Sequence, residues 1–450
     1  MIQWFATTCL PKRVGIVLLL ATASCARFSS DTHGDPRVGY DIRVDPHSPS
    51  TLRVEMRLQP PTESMTEWVV RGSKWGKEVQ VAEVRTDGTL ILADQKGHWQ
   101  VPPHTRCLSW KVVLKEGAGE SSYDPEEPRW ILSEATSMLR RKGEPKPPWI
   151  TFHPEAENHS SMGARSSGDD HAWRLPSMDA PPEFWALGAL HTIRRNVQGI
   201  TLEHVVEEPA HPRWKQWIPD HTALVELLCQ LFEPHNPSGS QLKKVAVIWK
   251  KVSVQQGRIS GLSGGHSLLV DYIHDGSSRE PFFKTFSMTV AAHEHFHQFC
   301  DATFPAHDCP PWIYESLAQF AALKIMQGSP LPPEEVHAVR SRFIQPYRPV
   351  EKGLITWAER ASKQDPAATM AFYQQGSTFW SALDKLLLKA SGGTAGVLDA
   401  LPSLMQRPYE GTQNLPPGLV QNWRRWGGPE VDVLLRRYVY PKVDIPNTVH

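Results

Sequence analysis

Apolar and polar positions alternate along the first part of the chain. Short alternating runs separated by turn residues lie at Gly39–Val44, Thr51–Leu58, Trp68–Arg71, Thr89–Leu92 and Cys107–Leu114. Because successive side chains of a strand point to opposite faces, this period of two indicates half-buried antiparallel strands. We therefore predict an N-terminal β-sandwich domain over residues 38–200.

A segment inside this predicted domain lacks the alternation. Residues 141–182 are rich in Pro, Gly, Ser and charged side chains, which is typical of a loop. Three histidines in it, His153, His159 and His171, lack helical spacing. We expect them to be exposed to solvent and not to bind a metal.

The pattern changes to longer apolar periods after about residue 200. A helix is predicted at His221–Phe232, and strands at Leu242–Trp249 and Ser267–Tyr272. Two long apolar helices follow, at about 281–300 and 312–326, and neither contains an internal Gly or Pro. These elements predict a second domain of strands and helices over residues 201–327.

The remainder of the chain is predicted to be mainly helical. Helices are expected at Pro333–Arg340, 366–390 and Thr394–Met405, within a C-terminal α-helical domain over residues 328–450. At 450 residues the chain exceeds the usual size of one hydrophobic core, so two or three domains are expected. The predicted fold class is α+β.

Composition narrows the possible functions. Lys+Arg and Asp+Glu balance at 48 each, so there is no electrostatic argument for binding nucleic acid or an anionic membrane surface. The 39 prolines argue against an all-helical architecture.

The N-terminus has the pattern of an export signal. Lys12 and Arg13 precede a short apolar run, Val14–Ala21, and small residues follow it. The sequence before Cys25 is similar to a bacterial lipobox, which predicts a lipoprotein-type signal peptide over residues 1–25, a lipid anchor at Cys25 and a polar tether over 26–37. Simple cleavage after Ala23 is the alternative. Either way we expect an exported protein, in the bacterial cell envelope (periplasm or outer membrane) or secreted.

Four cysteines follow the predicted signal: Cys107, Cys229, Cys300 and Cys309. They allow three complete disulfide pairings. A Cys300–Cys309 bridge is one hypothesis, because an oxidising compartment would favour it, and two buried thiols are the other. The absence of C-x-x-C spacing argues against a cysteine-based zinc site.

The strongest candidate chemistry lies in the helix predicted near residues 281–300. His293 and His297 are four residues apart, so on a helix they share one face and can bind one zinc ion. Glu294 stands beside them as a candidate base. Glu315 opens the next predicted helix 18 residues after His297, and it would complete a ligand set that leaves zinc one open position.

These motifs resemble those of the gluzincin metallopeptidases, in particular the glycyl aminopeptidase-like family. Some members of that family carry a C-terminal PDZ-like domain, and none is expected in this chain. The shared segments are His293–His297 (HEHFH), Trp312–Phe320 (WIYESLAQF) and the Tyr373–Gly376 opening of a later helix. The resemblance runs from about residue 38 to 446. It implies a thermolysin-like zinc catalytic domain between the β-sandwich and the helical domain.

The resemblance also implies a mechanism and a substrate class. His293, His297 and Glu315 would bind one Zn²⁺ per chain, Glu294 would act as general base, and Tyr373 would stabilise the tetrahedral intermediate. The expected protein is an exported zinc metallopeptidase that hydrolyses peptide bonds of peptide or protein substrates through zinc-activated water. No nucleic acid partner is expected, and membrane contact only through Cys25. For Tyr373, core packing is the alternative, and Tyr314 and Tyr347 are competing tyrosines.

One departure from the family leaves the specificity open. Aminopeptidases of this clan use an edge-strand Glu to bind the free amine of the substrate, and residues 260–272 contain no such Glu. Asp271 could replace it, or be an ordinary strand residue; His266 could line the cleft, or be an ordinary strand histidine. Aminopeptidase and endopeptidase therefore both stay open. A non-catalytic envelope binding protein on the same scaffold is the alternative function.

Overall fold

The structure is a computed structural model that describes residues 39–58, 63–71, 80–116, 120–126, 128–143, 148–152, 164–165, 172–178, 180–235, 242–254, 259–304, 309–345, 353–361, 363, 365–405 and 414–440. The predicted signal peptide (1–25), its Cys25 anchor and the tether (26–37) lie outside these residues. So do His153, His159, His171 and Tyr347.

The strands are β1 (Gly39–Asp45), β2 (Ser48–Arg57), β3 (Thr66–Val70), β4 (Val81–Thr86), β5 (Thr89–Leu90), β6 (His98–Val101), β7 (Cys107–Val113), β8 (Lys115–Glu116), β9 (Ser122–Asp124), β10 (Arg129–Ser133), β11 (Leu139–Arg141), β12 (Trp149–Phe152), β13 (Ala164–Arg165), β14 (Ala172–Arg174), β15 (Phe184–Gly188), β16 (His191–Val197), β17 (Ile200–Val206), β18 (Lys244–Lys251), β19 (Gly261–Ser263) and β20 (Ser267–Tyr272). The helices are α1 (Glu134–Ser137), α2 (Pro212–Phe232), α3 (Glu280–Thr303), α4 (Pro311–Met326), α5 (Pro333–Phe343), α6 (Leu354–Ala361), α7 (Pro366–Ala390), α8 (Leu401–Leu404), α9 (Pro417–Gly427) and α10 (Glu430–Tyr438).

The first fifteen strands form an eight-stranded sheet (β13-β14-β12-β1-β2-β7-β4-β5), a four-stranded sheet (β15-β10-β9-β8) and a three-stranded sheet (β11-β3-β6). Large apolar side chains from all three sheets, including Tyr40, Trp110, Trp68 and Trp130, share one hydrophobic core. Strand β12 lies within the segment predicted as a loop and pairs in parallel with β1. Its four residues, flanked by Pro and Gly, are too few to produce a recognisable alternation.

The later strands form a five-stranded sheet in the order β16-β17-β18-β20-β19. Strands β17, β18 and β20 are parallel, and β19 pairs antiparallel with β20 at the edge. The parallel strands are buried on both faces, which explains their continuous apolar sequences, such as Val245–Trp249. This sheet begins at His191, so the hairpin of β16 and β17 spans residue 200.

Helix α3 packs on this sheet and carries the candidate chemistry. It has no Gly or Pro after its first turn, and Met288, Ala291, Phe296 and Phe299 are buried against neighbouring elements. Helix α4 packs against α3, and α7 packs against α4. The sheet edge, α3, α4 and α7 therefore form a continuous layered arrangement around the middle of α3.

The α+β class is confirmed, whereas the division into three domains stays a prediction. The helix predicted at Thr394–Met405 is wrong: a 3-10 turn at Leu398–Ala400 and the one-turn helix α8 occupy this segment. Pro402 lacks a backbone N–H, and Gly396 weakens a helix at its start. None of the described helices is long and apolar enough to cross a membrane.

Candidate metal centre

The two histidines four residues apart on α3 face each other on one side of the helix. The Nε2 atoms of His293 and His297 are 3.1 Å apart, and both side chains are buried. The helical spacing of one turn produces this approach, because residues i and i+4 lie on the same face.

Glu315, in the first turns of α4, supplies a carboxylate to the same point. Its Oε2 lies 3.4 Å from Nε2 of His293 and 3.6 Å from Nε2 of His297. The ligand atoms of the three residues all lie within 4.8 Å of one another. In a tetrahedral zinc site with bonds of about 2.0–2.1 Å, ligand atoms are about 3.3–3.4 Å apart. Two imidazoles and one carboxylate at these separations fit the donor set of zinc.

The charged groups of the cluster shift one another's pKa values. Desolvation would raise the pKa of Glu315, but the charges and hydrogen bonds of His297 and His293 hold it well below its ordinary value. Desolvation would lower the pKa of His297, but the carboxylates of Glu315, Glu294 and Asp301 raise it above its ordinary value. The arrangement therefore keeps Glu315 ionised, as a metal ligand must be.

Glu294 points from α3 towards the edge strand β19. A Cβ at Gly261 would lie 2.6 Å from a methyl group of Val290 and 2.7 Å from Cγ of Glu294, so glycine is required for this close approach. Ser263, two residues later, hydrogen-bonds to Glu294. Desolvation raises the pKa of Glu294, and the nearby His293 and His297 oppose that rise. A partly exposed carboxylate with a raised pKa beside the cluster is suited to accept and return a proton.

Tyr373 reaches the cluster from α7. Its hydroxyl donates to Oε2 of Glu315 at 3.1 Å, and its ring packs edge-on against His293 at a centroid distance of 5.8 Å. Gly376, one turn later, makes this possible, because a Cβ there would lie only 2.3 Å from Cβ of Ser316. The spacing of Tyr373 and Gly376 therefore brings α7 against α4 at the position next to Glu315.

The competing tyrosine Tyr314 has another environment. Its ring lies 4.2 Å from the ring of His297, and its hydroxyl donates to Oδ1 of Asp301 at 2.7 Å. Burial, together with Asp301, raises the pKa of Tyr314 well above its ordinary value. Tyr314 thus packs beside a histidine of the cluster and holds Asp301, while the hydroxyl of Tyr373 contacts Glu315.

His295, between the two cluster histidines, lies on the opposite side of α3 and is buried. Gln298 donates through Nε2 to the carbonyls of Gly264 and Ser267, so its Oε1 is left to accept from Nδ1 of His295 at 3.0 Å. Neutral His295 then accepts at Nε2 from Nε2 of His221, 3.1 Å away on α2. This chain of hydrogen bonds joins α2, α3 and the β19–β20 turn.

This chain of hydrogen bonds ends at His221, which packs in an aromatic core. The rings of His204 and His221 lie 5.1 Å apart, and Nδ1 of His204 accepts from Nε1 of Trp249 at 3.2 Å. Burial lowers the pKa of His204 to about 3 and that of His295 to about 4. Burial also places the pKa of His221 well below its ordinary value, so all three histidines are neutral.

Asp271 is occupied by its own neighbours. It accepts from the backbone N and the Oγ of Ser260 at 3.1 and 2.5 Å, and it lies 3.9 Å from Nζ of Lys250. These contacts favour the ordinary structural role for Asp271 over binding of a substrate amine.

Cys107, Cys229, Cys300 and Cys309 are thiols in the structure. The hypothesis of a Cys300–Cys309 disulfide is therefore wrong here. Burial, with the charge of Asp301 nearby, raises the pKa of the Cys300 thiol well above its ordinary value. Such a thiol is unreactive and packs as a small apolar side chain.

Sequence patterns did not reveal several residues around the cluster. Ser263, Gln298, His221 and Glu183 come from separate segments and meet only in the folded chain. The hydrogen bonds of Gln298 to Gly264 and Ser267, of His221 to His295 and of Glu183 to Ser267 span 31 to 84 residues, and such separations leave no local spacing signal.

Comparisons with known proteins give a fold relative. No protein-family model and no curated protein matches this sequence. Among solved structures, an aminopeptidase N family protein from Idiomarina loihiensis is similar, with a TM-score of 0.70 and 15% sequence identity. The match covers 90% of this chain and 76% of that protein. The chain therefore shares the overall fold of an aminopeptidase N family protein.

Proposed function

We propose that this chain is an exported zinc-dependent metallopeptidase. The carrying observation is the convergence of His293, His297 and Glu315 within 4.8 Å of one another, with Glu294 beside them. The fold shared with an aminopeptidase N family protein supports a peptidase over other zinc hydrolases. The Lys12–Ala26 pattern supports export, with Cys25 as lipid anchor in a bacterial cell envelope.

The three ligands would hold one Zn²⁺, which when bound acidifies water and polarises a carbonyl. Glu294 takes the proton of the attacking water and later gives it to the leaving amine. Burial raises the pKa of Glu294 from its ordinary value towards the neutral pH range, which suits both the uptake and the release of a proton. The Ser263 hydrogen bond orients the carboxylate towards the reacting atoms.

Tyr373 is proposed to donate to the oxyanion that develops on the scissile carbonyl. Its hydroxyl already lies within 3.1 Å of Glu315, so a small rotation of the side chain would transfer the donor from the ligand to the substrate. A positioned donor of this kind typically contributes about 10²–10³ in rate.

The substrate is proposed to be an extended peptide segment. Strand β19 is the last strand of its sheet within the described residues, and it lies directly over Glu294. A sheet edge beside the catalytic residues can bind a peptide backbone as an added strand. Because Asp271 accepts a hydrogen bond from Ser260, we assign it no role in binding a free amine of the substrate. Whether the enzyme is an aminopeptidase or an endopeptidase is decided by the experiment below.

The test measures bound zinc and peptide cleavage on mature wild-type protein and on Glu294→Gln. One zinc per chain in both proteins, with chelator-sensitive cleavage only in wild type, is expected. Glu334→Gln, in the exposed first turn of α5, serves as the matched control and should keep both zinc and activity.

Peptides with free and blocked α-amines are included in the same assay. Cleavage of both kinds assigns an endopeptidase, and cleavage of free amines alone assigns an aminopeptidase. Zinc binding without cleavage of either kind would favour the non-catalytic binding protein. Absence of zinc from wild-type protein would refute the proposal.

A further inference from the structure

His266, in the turn between β19 and β20, is held by a buried carboxylate. Its Nδ1 lies 3.0 Å from Oε1 of Glu183, and its backbone N donates to the same oxygen at 2.9 Å. The side chain of Glu183 is only 4% exposed, whereas that of His266 is 56% exposed. The ring is therefore fixed through Nδ1 and faces solvent with its other edge.

The turn itself is anchored from two sides. Oγ of Ser267 donates to Oε2 of Glu183 at 2.6 Å, and the backbone N of Phe184 donates to that Oγ at 2.8 Å. From α3, Gln298 donates to the carbonyls on either side of the turn. A half-exposed imidazole on a backbone held this firmly has lost most of its conformational freedom before any ligand arrives, which favours recognition.

His266 lies close to the catalytic edge. Ser263, which hydrogen-bonds to Glu294, precedes it by three residues, so their Cα atoms are at most about 10 Å apart. An extended peptide rises about 3.3 Å per residue. A peptide bound along β19 would thus present to His266 a group within about three residues of the bond that is cut.

The chemistry of the pair selects an acceptor group. With Nδ1–H donated to Glu183, the outward atom of the ring is Nε2. The hydrogen bond that His266 donates to Glu183 is the largest influence that raises the pKa of His266, and desolvation opposes it. At any given pH the imidazolium, with an Nε2–H donor, is therefore more populated for His266 than for an ordinary histidine. A charged donor makes its strongest hydrogen bonds to anionic oxygen.

We propose that His266 is a specificity residue that binds a carboxylate of the peptide substrate within about three residues of the scissile bond, and that Glu183 positions its ring. The carboxylate is either an acidic side chain or the peptide C-terminus. This inference rests on the proposed peptidase function for its meaning, but its test is a binding measurement.

The host for the test is full-length mature Glu294→Gln protein loaded with zinc, so that peptides bind without being cut. Extended peptides of about eight residues carry one Glu stepped along the chain, each matched by the same peptide with Gln. A second set has free or amidated C-termini. We expect one register, in one of the two sets, in which the carboxylate binds about tenfold more tightly than the amide.

Adding His266→Phe should remove that preference and leave the Kd of the neutral peptides within about twofold. His266→Gln, which keeps an N–H donor without charge, should restore part of the affinity for the carboxylate. His191→Phe, an exposed histidine at the opposite edge of the same sheet, is the matched control and should change neither. Circular dichroism of each variant checks that the fold is retained.

Equal binding of acidic and neutral peptides at every register would overturn the inference, and so would a preference that survives His266→Phe. The outcome is independent of turnover. A His266-dependent preference in a protein whose wild type cleaves no peptide would support the inference and count against the proposed peptidase.

Discussion

The histidines on the two faces of α3 have different electrostatic surroundings. His293 and His297 face the carboxylate of Glu315, and the pKa of His297 is raised above its ordinary value. His295, two residues from each, faces His221, and burial lowers its pKa to about 4. One pentapeptide thus contains both a candidate metal site and part of a neutral, structural hydrogen-bond chain.

The difference teaches that residue type does not decide what a histidine does. An anionic partner favours the charged imidazole, whereas desolvation by apolar and neutral neighbours disfavours it. The candidate site is therefore defined by the elements that surround α3. Helices α4 and α7 bring Glu315 and Tyr373 to one face, and α2 brings His221 to the other.

The largest effect on zinc binding and cleavage is expected when a histidine of each face of α3 is replaced by alanine in a separate variant. His297→Ala removes a ligand from the cluster, so bound zinc should fall below detection and cleavage by at least about 10³-fold. His295→Ala should keep zinc but leave Nε2 of His221 and Oε1 of Gln298 without partners. Each buried orphan costs about 1–3 kcal/mol of unfolding free energy.

Zinc stoichiometry and urea unfolding on both variants measure this contrast. Loss of zinc in His295→Ala at temperatures where the protein stays folded would show that the two faces are not independent. Retained zinc in His297→Ala would remove that residue from the ligand set.

Tyr373→Phe tests how far the site extends beyond the ligands. The ring and its packing on His293 are kept, while the hydroxyl that contacts Glu315 is lost. We expect unchanged zinc content and a kcat lowered by about 10²–10³-fold, with little change in KM. A normal kcat would assign Tyr373 to packing, and a loss of zinc would assign its hydroxyl to holding Glu315.

The cluster was predictable because its residues have local spacing signals. The interval of four between His293 and His297 follows from the helix, and the Trp312–Phe320 and Tyr373–Gly376 segments carried the resemblance. The structure adds the reason for Gly376, which lets α7 approach Ser316 beside Glu315. The α+β class was predicted correctly because the helical spacing of apolar residues and the alternation along the strands were both recognisable in the sequence.

The supporting contacts were not predictable for a physical reason. His221, which hydrogen-bonds to His295, lies 74 residues away from it, and Glu183 lies 83 residues away from His266, so chain folding and not local periodicity brings these pairs together. The same holds for Asp271, whose partner Ser260 lies across a strand pair and occupies the carboxylate. Strand β12, hidden among Pro and Gly, is defined by its pairing with β1 and not by its own pattern.

Gly376→Ala tests the approach of α7 to α4 directly. The added methyl would lie 2.3 Å from Cβ of Ser316, so the helices must separate. We expect the unfolding free energy to fall by about 1–3 kcal/mol and cleavage to fall with it, because Tyr373 moves away from Glu315. Gly418→Ala, where a Cβ meets nothing within 4 Å, is the control and should be close to neutral.

The smallest expected effect is the pH dependence of stability that comes from the buried neutral histidines, His295, His221 and His204. His204 has a pKa of about 3 in the folded protein, because burial disfavours its charged form, against an ordinary value of 6.5. Between these values the unfolded chain binds the extra proton and the folded chain does not. The unfolding free energy is thus undiminished above about pH 6.5 and falls as the pH falls, by about 2 kcal/mol for this group at about pH 5.

The measurement is urea unfolding near pH 7 and near pH 5 on wild type and on His204→Gln. Glutamine keeps an acceptor for Nε1 of Trp249 but does not titrate, so the variant should lose about 2 kcal/mol less than wild type over this interval. Exposed histidines contribute equally to both proteins and cancel in the difference. An identical pH dependence would mean that His204 is protonated without cost in the folded protein. The buried histidines around His295 would then differ from those of the candidate metal site less than their burial implies.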